Sequence, residues 1–421
     1  MSPLPESCDV AVVGAGAAGL ATAIFIRRFS PTSSVVLVDS ARKPGAKILV
    51  SGGSRCNVTN TVVTERDFWG GRPAVIRKVL RAFPVGDTIA FFREIGVSLH
   101  EEAGGKLFPD TNRARDVLDA LLRESDRTGV TLAPGHRVLG VNQSNGQFTV
   151  VTSAGELRAD AVVLATGGKS LPKSGSDGAG YEMAKRLGHT IVPTTPALAP
   201  LVLSEPSIHA QLSGVSQDVE LAVWADGGIL VRLAGALLWT HFGVSGPVAM
   251  NASRHWLRAK LEGQEAAISV NFCRGRQFES VDAELQRAAA ASPKAMLRTA
   301  AAAMLPASVA DAMLRQLKID GELALAHFPR AERRRLSRAL VEWPLPVVDS
   351  RGYTFAEATA GGVELGEIDP ATMASRVCPG LYCVGEILDV DGRIGGFNLQ
   401  WAWSSAFVAA RALARRTAES R

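Results

Sequence analysis

Cysteine is scarce in this chain, with five in 421 residues and no two in a CxxC pair. That excludes a zinc ribbon, a thioredoxin-like dithiol site and a secreted disulfide framework, and it suits a reducing compartment. Long hydrophobic runs are missing as well. The apolar stretch nearest the start, Val10 to Val13, is too short to span a bilayer and lacks the flanks of a signal peptide. No membrane attachment and a cytoplasmic location are therefore expected. Charge of one sign is also in short supply: 46 Lys and Arg against 41 Asp and Glu leave a net +5, a mild excess whose location matters more than its size. Neither an HxxxH pattern nor paired carboxylates suggest a metal. What the chain does have is length, enough for two to three domains of ~150 residues. It can bury roughly three quarters of its unfolded surface, so it needs no staple.

The clearest local pattern is at the start. Asp9 to Val13 is a short apolar run that ends in Gly14-Ala15-Gly16-Ala17-Ala18-Gly19, and this opens the helical spacing Leu20, Ala23, Ile24. A second buried run, Val35 to Val38, closes on Asp39 and Ser40. This is a βαβ unit, the context in which GxGxxG binds a dinucleotide. The glycines permit a tight turn and close approach to a pyrophosphate, and the helix N-terminus supplies amides. Asp39 at the strand end accepts from both ribose hydroxyls and repels a 2′-phosphate, which leaves FAD or NAD and disfavours NADP at this site.

Later segments favour FAD. Leu381 to Val384 reads as a late strand ending in Gly385-Glu386, and Gly395-Gly396-Phe397-Asn398 opens the last helix. A helix start aimed at the ring stabilises negative charge at the flavin N1 and C2 carbonyl. Residues 43–60 are rich in small and polar side chains, among which Lys47, Arg55, Cys56, Asn57 and Asn60 can reach phosphate or ring acceptors. Val138 and the strand end Ala165-Thr166-Gly167 join the expected cofactor set, together with Asp391 and Leu399. Of Trp401 and Trp403, one is expected to pack and one to approach the ring.

Along the rest of the chain, residues 72–95, 112–127 and 178–187 have helical spacing, and Val130 to Leu132, Val138 to Val141 and Ala161 to Ala165 read as strands. At Pro193 the texture becomes proline-punctuated and strand-like. From 276 to 338 it turns Ala-, Arg- and Leu-rich and helical. The expected organisation is a first FAD-binding part over 1–193, a β-rich insertion over 194–275, and a helical insertion over 276–338. Return strands over 339–355 and a second FAD-binding part over 356–421 complete it.

Ser51-Gly52-Gly53-Ser54-Arg55-Cys56-Asn57-Val58-Thr59-Asn60, Gly105-Lys106-Leu107-Phe108-Pro109, Ala165-Thr166-Gly167-Gly168, Ser245-Gly246-Pro247 and Thr359-Ala360-Gly361-Gly362-Val363 occur in that order. With Gly385 to Gly392 and Gly395-Gly396-Phe397-Asn398-Leu399-Gln400-Trp401-Ala402-Trp403, they resemble the BaiN/RdsA-like flavoproteins, also labelled the aminoacetone oxidase family. The resemblance implies an α/β fold: a Rossmann-type FAD-binding domain of the glutathione-reductase type, split by a β-barrel-like insertion and a small helical domain. It implies tight, non-covalent FAD and several possible activities: oxidation of aminoacetone with oxygen, reduction of a bile-acid enone, and reduction of a ribosomal RNA uridine to dihydrouridine. The chain departs from the family at Gly392-Arg393-Ile394, where many members have Gly-Pro-Thr.

The leading expectation is hydride transfer between flavin N5 and a small-molecule substrate by a reductase linked to NADH or NADPH. No second strand-GxGxxG-helix unit is visible, so the donor binds transiently. Cys56 and His241 are the candidate catalytic groups. The alternatives are an amine oxidase using oxygen and a uridine reductase acting on ribosomal RNA. For the RNA reading, residues 276–338 hold 11 Lys and Arg against 7 Asp and Glu, clustered at Arg330, Arg333, Arg334, Arg335 and Arg338.

Overall fold

The computed structural model describes residues 4–205 and 207–419. The chain divides into two units, residues 1–194 with 357–421, and residues 195–356. Strand β1 (Ser7–Val13) is buried from Val10 to Val13, as befits a parallel strand covered on both faces. The glycine-rich turn feeds α1 (Ala17–Phe29), which is buried along Ala18 to Ile26, and the chain returns through β2 (Val35–Asp39). The first unit's main sheet runs 131–134, 35–39, 7–13, 155–164, 147–152, 138–144, and strand Leu381–Cys383 also pairs with Gly155–Leu164. That ten-residue strand serves two sheet patterns. Its first half closes an antiparallel hairpin on Gln147–Thr152, and its second half runs parallel to both Ser7–Val13 and Leu381–Cys383.

The final helix, Phe397–Glu419, packs on α1, where the Phe407 ring lies 5.5 Å from Phe25 and 4.7 Å from Phe83. Both tryptophans at its start are packed. Trp401 donates its indole N–H to the Gly385 carbonyl and Trp403 to that of Val58, and neither ring is solvent-accessible. Residues 72–95 form two helices, Pro73–Ala82 and Val85–Glu94, because Pro84 cannot continue the first and starts the second.

In the second unit, seven antiparallel strands follow the order 343–345, 266–271, 216–225, 228–240, 243–245, 201–203, 347–350. The two ends of that order are consecutive in sequence, joined through Pro346, so the sheet curls back on itself in a barrel-like arc. The sequence reading missed helix Pro247–Leu261, whose buried Val248, Ala249, Ala252, Trp256 and Ala259 carry a plain helical spacing after Pro at the first turn. Helices Phe278–Ala291, Leu297–Ala302, Ala307–Leu317 and Arg330–Val341 share one apolar core with the barrel. They fall in the same compact unit as the barrel. Among the described residues, no helix is long and apolar enough to cross a membrane.

Candidate functional site

The glycine-rich turn builds an anion cradle. Gly19 is required by contact, since a Cβ there would lie 1.8 Å from the Gly14 carbonyl oxygen. No side chain caps the α1 N-terminus, and a Cβ at Gly16 would meet nothing within 4 Å, so the free amides of Ala17, Ala18 and their neighbours face open space. Asp39 ends β2 beside them. Its Oδ2 accepts the Ala15 N–H at 2.6 Å and its Oδ1 the Ala41 N–H at 2.7 Å, which leaves each oxygen a second lone pair for a ribose hydroxyl. Ser40 is exposed next to it, and Val138 is buried at a bulge in its hairpin.

Residues 46–56 approach this cradle in strained backbone. Helix α2 (Ala46–Ser54) breaks at Ser51, Gly52 and Gly53, and the non-glycine residues Ser54 and Cys56 take positive φ of 68° and 63°. Two such residues in a row of six cost of order 1–3 kcal/mol each, a strain that concentrates at ligand sites. Here it turns the backbone of residues 51–57 sharply. Asn57 Oδ1 is buried without a hydrogen-bond partner among the described residues, an orphaned acceptor of the kind a bound ring N–H would satisfy.

Lys47 on α2 reaches Glu386 and donates to Ser170 Oγ at 2.6 Å, while that hydroxyl donates to Glu386 Oε1 at 2.8 Å. Thr359 Oγ1 accepts the N–H groups of Lys169 and Ser170, fixing the loop after Ala165-Thr166-Gly167. The last helix enters over Gly396, at φ 93°, where a Cβ would sit 2.5 Å from the Thr59 backbone. Asn60 donates to the Gly395 carbonyl at 3.1 Å and holds the turn. Beneath it, buried Gln400 accepts from Thr59 and Thr88 and donates to the Phe83 carbonyl. Sequence reasoning left Gln400 unassigned, although it stands in the quoted helix motif.

Several expected cofactor contacts have protein partners. Arg55 pairs with Glu102 at 2.6 Å and stacks 4.0 Å from the Phe108 ring centroid. Asn398 closes a loop by exchanging two hydrogen bonds with the Gly392 backbone. Phe397 is fully buried, and Arg393 lies 4.2 Å above its ring while donating to Asp67 at 2.7 Å. Asp391 is buried and Leu399 half-buried on either side of that loop. Cys56 is fully buried, and burial pushes its thiol up to about 12 despite the Ser51 hydroxyl. The thiol is therefore neutral at pH 7. His241 is exposed in the second unit, edge-on to Phe242 at 5.1 Å.

These residues fit FAD: uncapped amides for the pyrophosphate, Asp39 for the ribose, a strained loop with an orphaned acceptor, and a helix start over Gly395-Gly396. Bound there, the flavin supplies hydride exchange at N5.

The model of the HI0933-like protein Rossmann domain matches residues 8–412. The chain is 32% identical over 407 residues to the 3-dehydro-bile acid delta(4,6)-reductase of Clostridium scindens, covering 97% of this chain and 99% of that protein. It is 33% identical over 410 residues to the ribosomal RNA dihydrouridine synthase of Escherichia coli, covering 97% and 98%. Among solved structures, it resembles FrdA of the E. coli quinol fumarate reductase with a TM-score of 0.52 at 16% identity, covering 99% of this chain and 71% of that one. That likeness supports the fold alone. The chain is an FAD-dependent oxidoreductase and belongs to the HI0933-like Rossmann-domain family.

Proposed function

We propose that this protein is an NAD(P)H-linked reductase of a carbon–carbon double bond conjugated to a carbonyl. The observation that carries the reading is the end-to-end match to two relatives whose names describe one chemistry. Saturating an alkene of a 3-oxo steroid and converting uridine to dihydrouridine both add hydride to the carbon β to a carbonyl and a proton to the α carbon. The residues of unit 1 suit the binding half of that task. Uncapped amides and Asp39 hold the dinucleotide end, and the Lys47–Ser170–Glu386 cluster fixes the loops around the remainder. Cys56 is not the proton source in this reading, because its buried thiol holds its proton too tightly.

Unit 2 is antiparallel sheet and helix, with no βαβ unit among its described residues. NADH or NADPH therefore has no Rossmann domain of its own and binds transiently. The test is anaerobic mixing of the FAD-loaded protein with NADH or NADPH, followed by a 3-oxo-4-ene steroid. The expected result is loss of flavin absorbance with one donor and its return with the enone. No bleaching by either donor overturns the reading.

A second reading, reduction of uridine in ribosomal RNA, has its own support in helix Arg330–Val341. Of its arginines, Arg333 is paired with Asp282 at 2.9 Å, whereas Arg335 donates to the neutral Leu317 carbonyl and keeps its charge. Arg330, Arg334, Arg335 and Arg338 are exposed, with Arg334 and Arg338 over the Phe278 ring at 4.9 and 6.0 Å. Cations flanking an aromatic face suit phosphates and a stacked base. Nucleoside mass analysis of ribosomal RNA from cells with and without the protein tests it, the expected result being loss of a dihydrouridine. An unchanged nucleoside profile removes the reading.

A further inference from the structure

One guanidinium in unit 2 makes no ion pair among the described residues. Strand Val347–Ser350 pairs with Leu201–Leu203, and the Arg351 N–H donates to the Pro200 carbonyl at 2.9 Å, so the backbone there is fixed. At Gly352, φ 67°, the chain turns, and the N–H groups of both Phe355 and Ala356 donate to the Gly352 carbonyl. This turn brings Phe355 back over Arg351, with Cζ 3.7 Å from its ring centroid and 4.5 Å from that of Phe242. The Phe242 ring in turn meets His241 edge-on. Among the described residues, the Arg351 guanidinium makes no hydrogen bond and no ion pair. Phe355 is 45% exposed.

Aromatic faces attract a cation but accept none of the in-plane hydrogen bonds of its five N–H groups. Two rings within 4.5 Å therefore immobilise the guanidinium and desolvate it while leaving its N–H edge unused. The group that matches such an edge is a planar pair of oxygens taken in bidentate fashion. We propose that Arg351, held between the two rings, is an oxyanion-binding site of unit 2 that takes a carboxylate or phosphate group in bidentate fashion.

The test uses the oxidised, FAD-loaded protein and needs no turnover. Calorimetric titration with 2-naphthoate, 2-naphthyl phosphate and neutral 2-naphthamide separates charge from apolar contact, and the two anions separate carboxylate from phosphate. The expected result is that at least one anion binds the wild type and loses about ten- to hundredfold in affinity in Arg351→Gln. Arg351→Lys, which keeps the charge without the fork, is expected to lose less, and naphthamide to bind all three proteins alike. Phe355→Leu leaves the arginine in place and is expected to weaken the anion severalfold, which keeps the test open if Arg351→Gln misfolds. Anion binding unchanged by Arg351→Gln, equal losses for naphthamide, or no anion binding to the wild type each overturn the proposal. Failure of NADH or NADPH to bleach the flavin would remove the reductase reading and leave this measurement standing.

Discussion

Asp39 accepts one backbone N–H on each carboxylate oxygen, and so it both shapes the glycine turn and offers acceptors to a ribose. Asp39→Ala removes all four acceptor positions, and the FAD dissociation constant is expected to rise about ten- to hundredfold, read from FAD:protein ratios and flavin titration. Cys56 predicts the opposite. Its thiol is buried and held protonated, so Cys56→Ala is expected to keep flavin content and the rate of flavin bleaching by the donor; a collapse of that rate would restore the catalytic role. The place of Asp39 beside the glycine turn was legible because its spacing from the glycines is local. Arg55 was not legible: its partner Glu102 lies 47 residues away, and nothing in the polar run 43–60 distinguishes a cation that meets a phosphate from one that meets a carboxylate. Lys47 and Glu386 were both named, but their mutual contact spans 339 residues and no local pattern reveals it.

Between elements, buried polar links do what apolar packing cannot, because they hold loops in one register. His189 is the clearest case. Its Nδ1 lies 2.8 Å from Glu367, its Nε2 lies 2.8 Å from Ser375 Oγ, and that hydroxyl also accepts the N–H groups of Val377 and Cys378. His189→Ala leaves a buried hydroxyl and a half-buried carboxylate without this partner and is expected to cost about 2–3 kcal/mol, measured by urea denaturation of the FAD-loaded protein. In the other unit, Arg333 holds the Asp282 carboxyl below the usual range, with burial opposing and Gln286, Arg333's charge and Ser337 adding to it. A depressed folded-state pKa means that the unfolded chain binds the proton more readily. This contribution is therefore complete above the unfolded value of about 3.9 and fades as pH falls below it. The denaturation midpoint of Asp282→Asn is accordingly expected to fall less steeply than wild type below about pH 4. Helix and strand positions were readable from their patterns, as in 112–127 and 161–165, whereas these links were not, since a buried histidine reads the same from sequence whether it bridges two loops or sits alone.

At the scale of the whole chain, the two units have separate cores. One apolar cluster draws only on residues before 195 and after 356, the other only on residues 201–345. The strand leading into the insertion, Ile191–Ala197, pairs with Ala358–Val363, and a Cβ at Gly361 would lie 2.4 Å from the Pro193 carbonyl oxygen. The glycine turn, Asp39, the strained loop, the Lys47–Ser170–Glu386 cluster and the Gly396 helix start all belong to that unit. The sequence revealed this split through its change of texture at Pro193 and the return of a buried strand at Leu381, because composition shifts where one core ends and another begins. It did not reveal that the barrel and its helices form one core, since the shared contacts join segments far apart in the chain. A consequence follows for excision. Joining Thr194 to Glu357 through a short flexible loop removes the second core whole and cuts no element of the flavin site. The excised protein is expected to unfold cooperatively and to bind FAD with the visible spectrum of the full chain, while losing the naphthoate or naphthyl phosphate binding assigned to Arg351. Absorbance of the purified protein and calorimetry read the two halves of this expectation separately. A variant that folds without FAD would place part of the cofactor site in the second unit, and one that retains anion binding would move the anchor out of it.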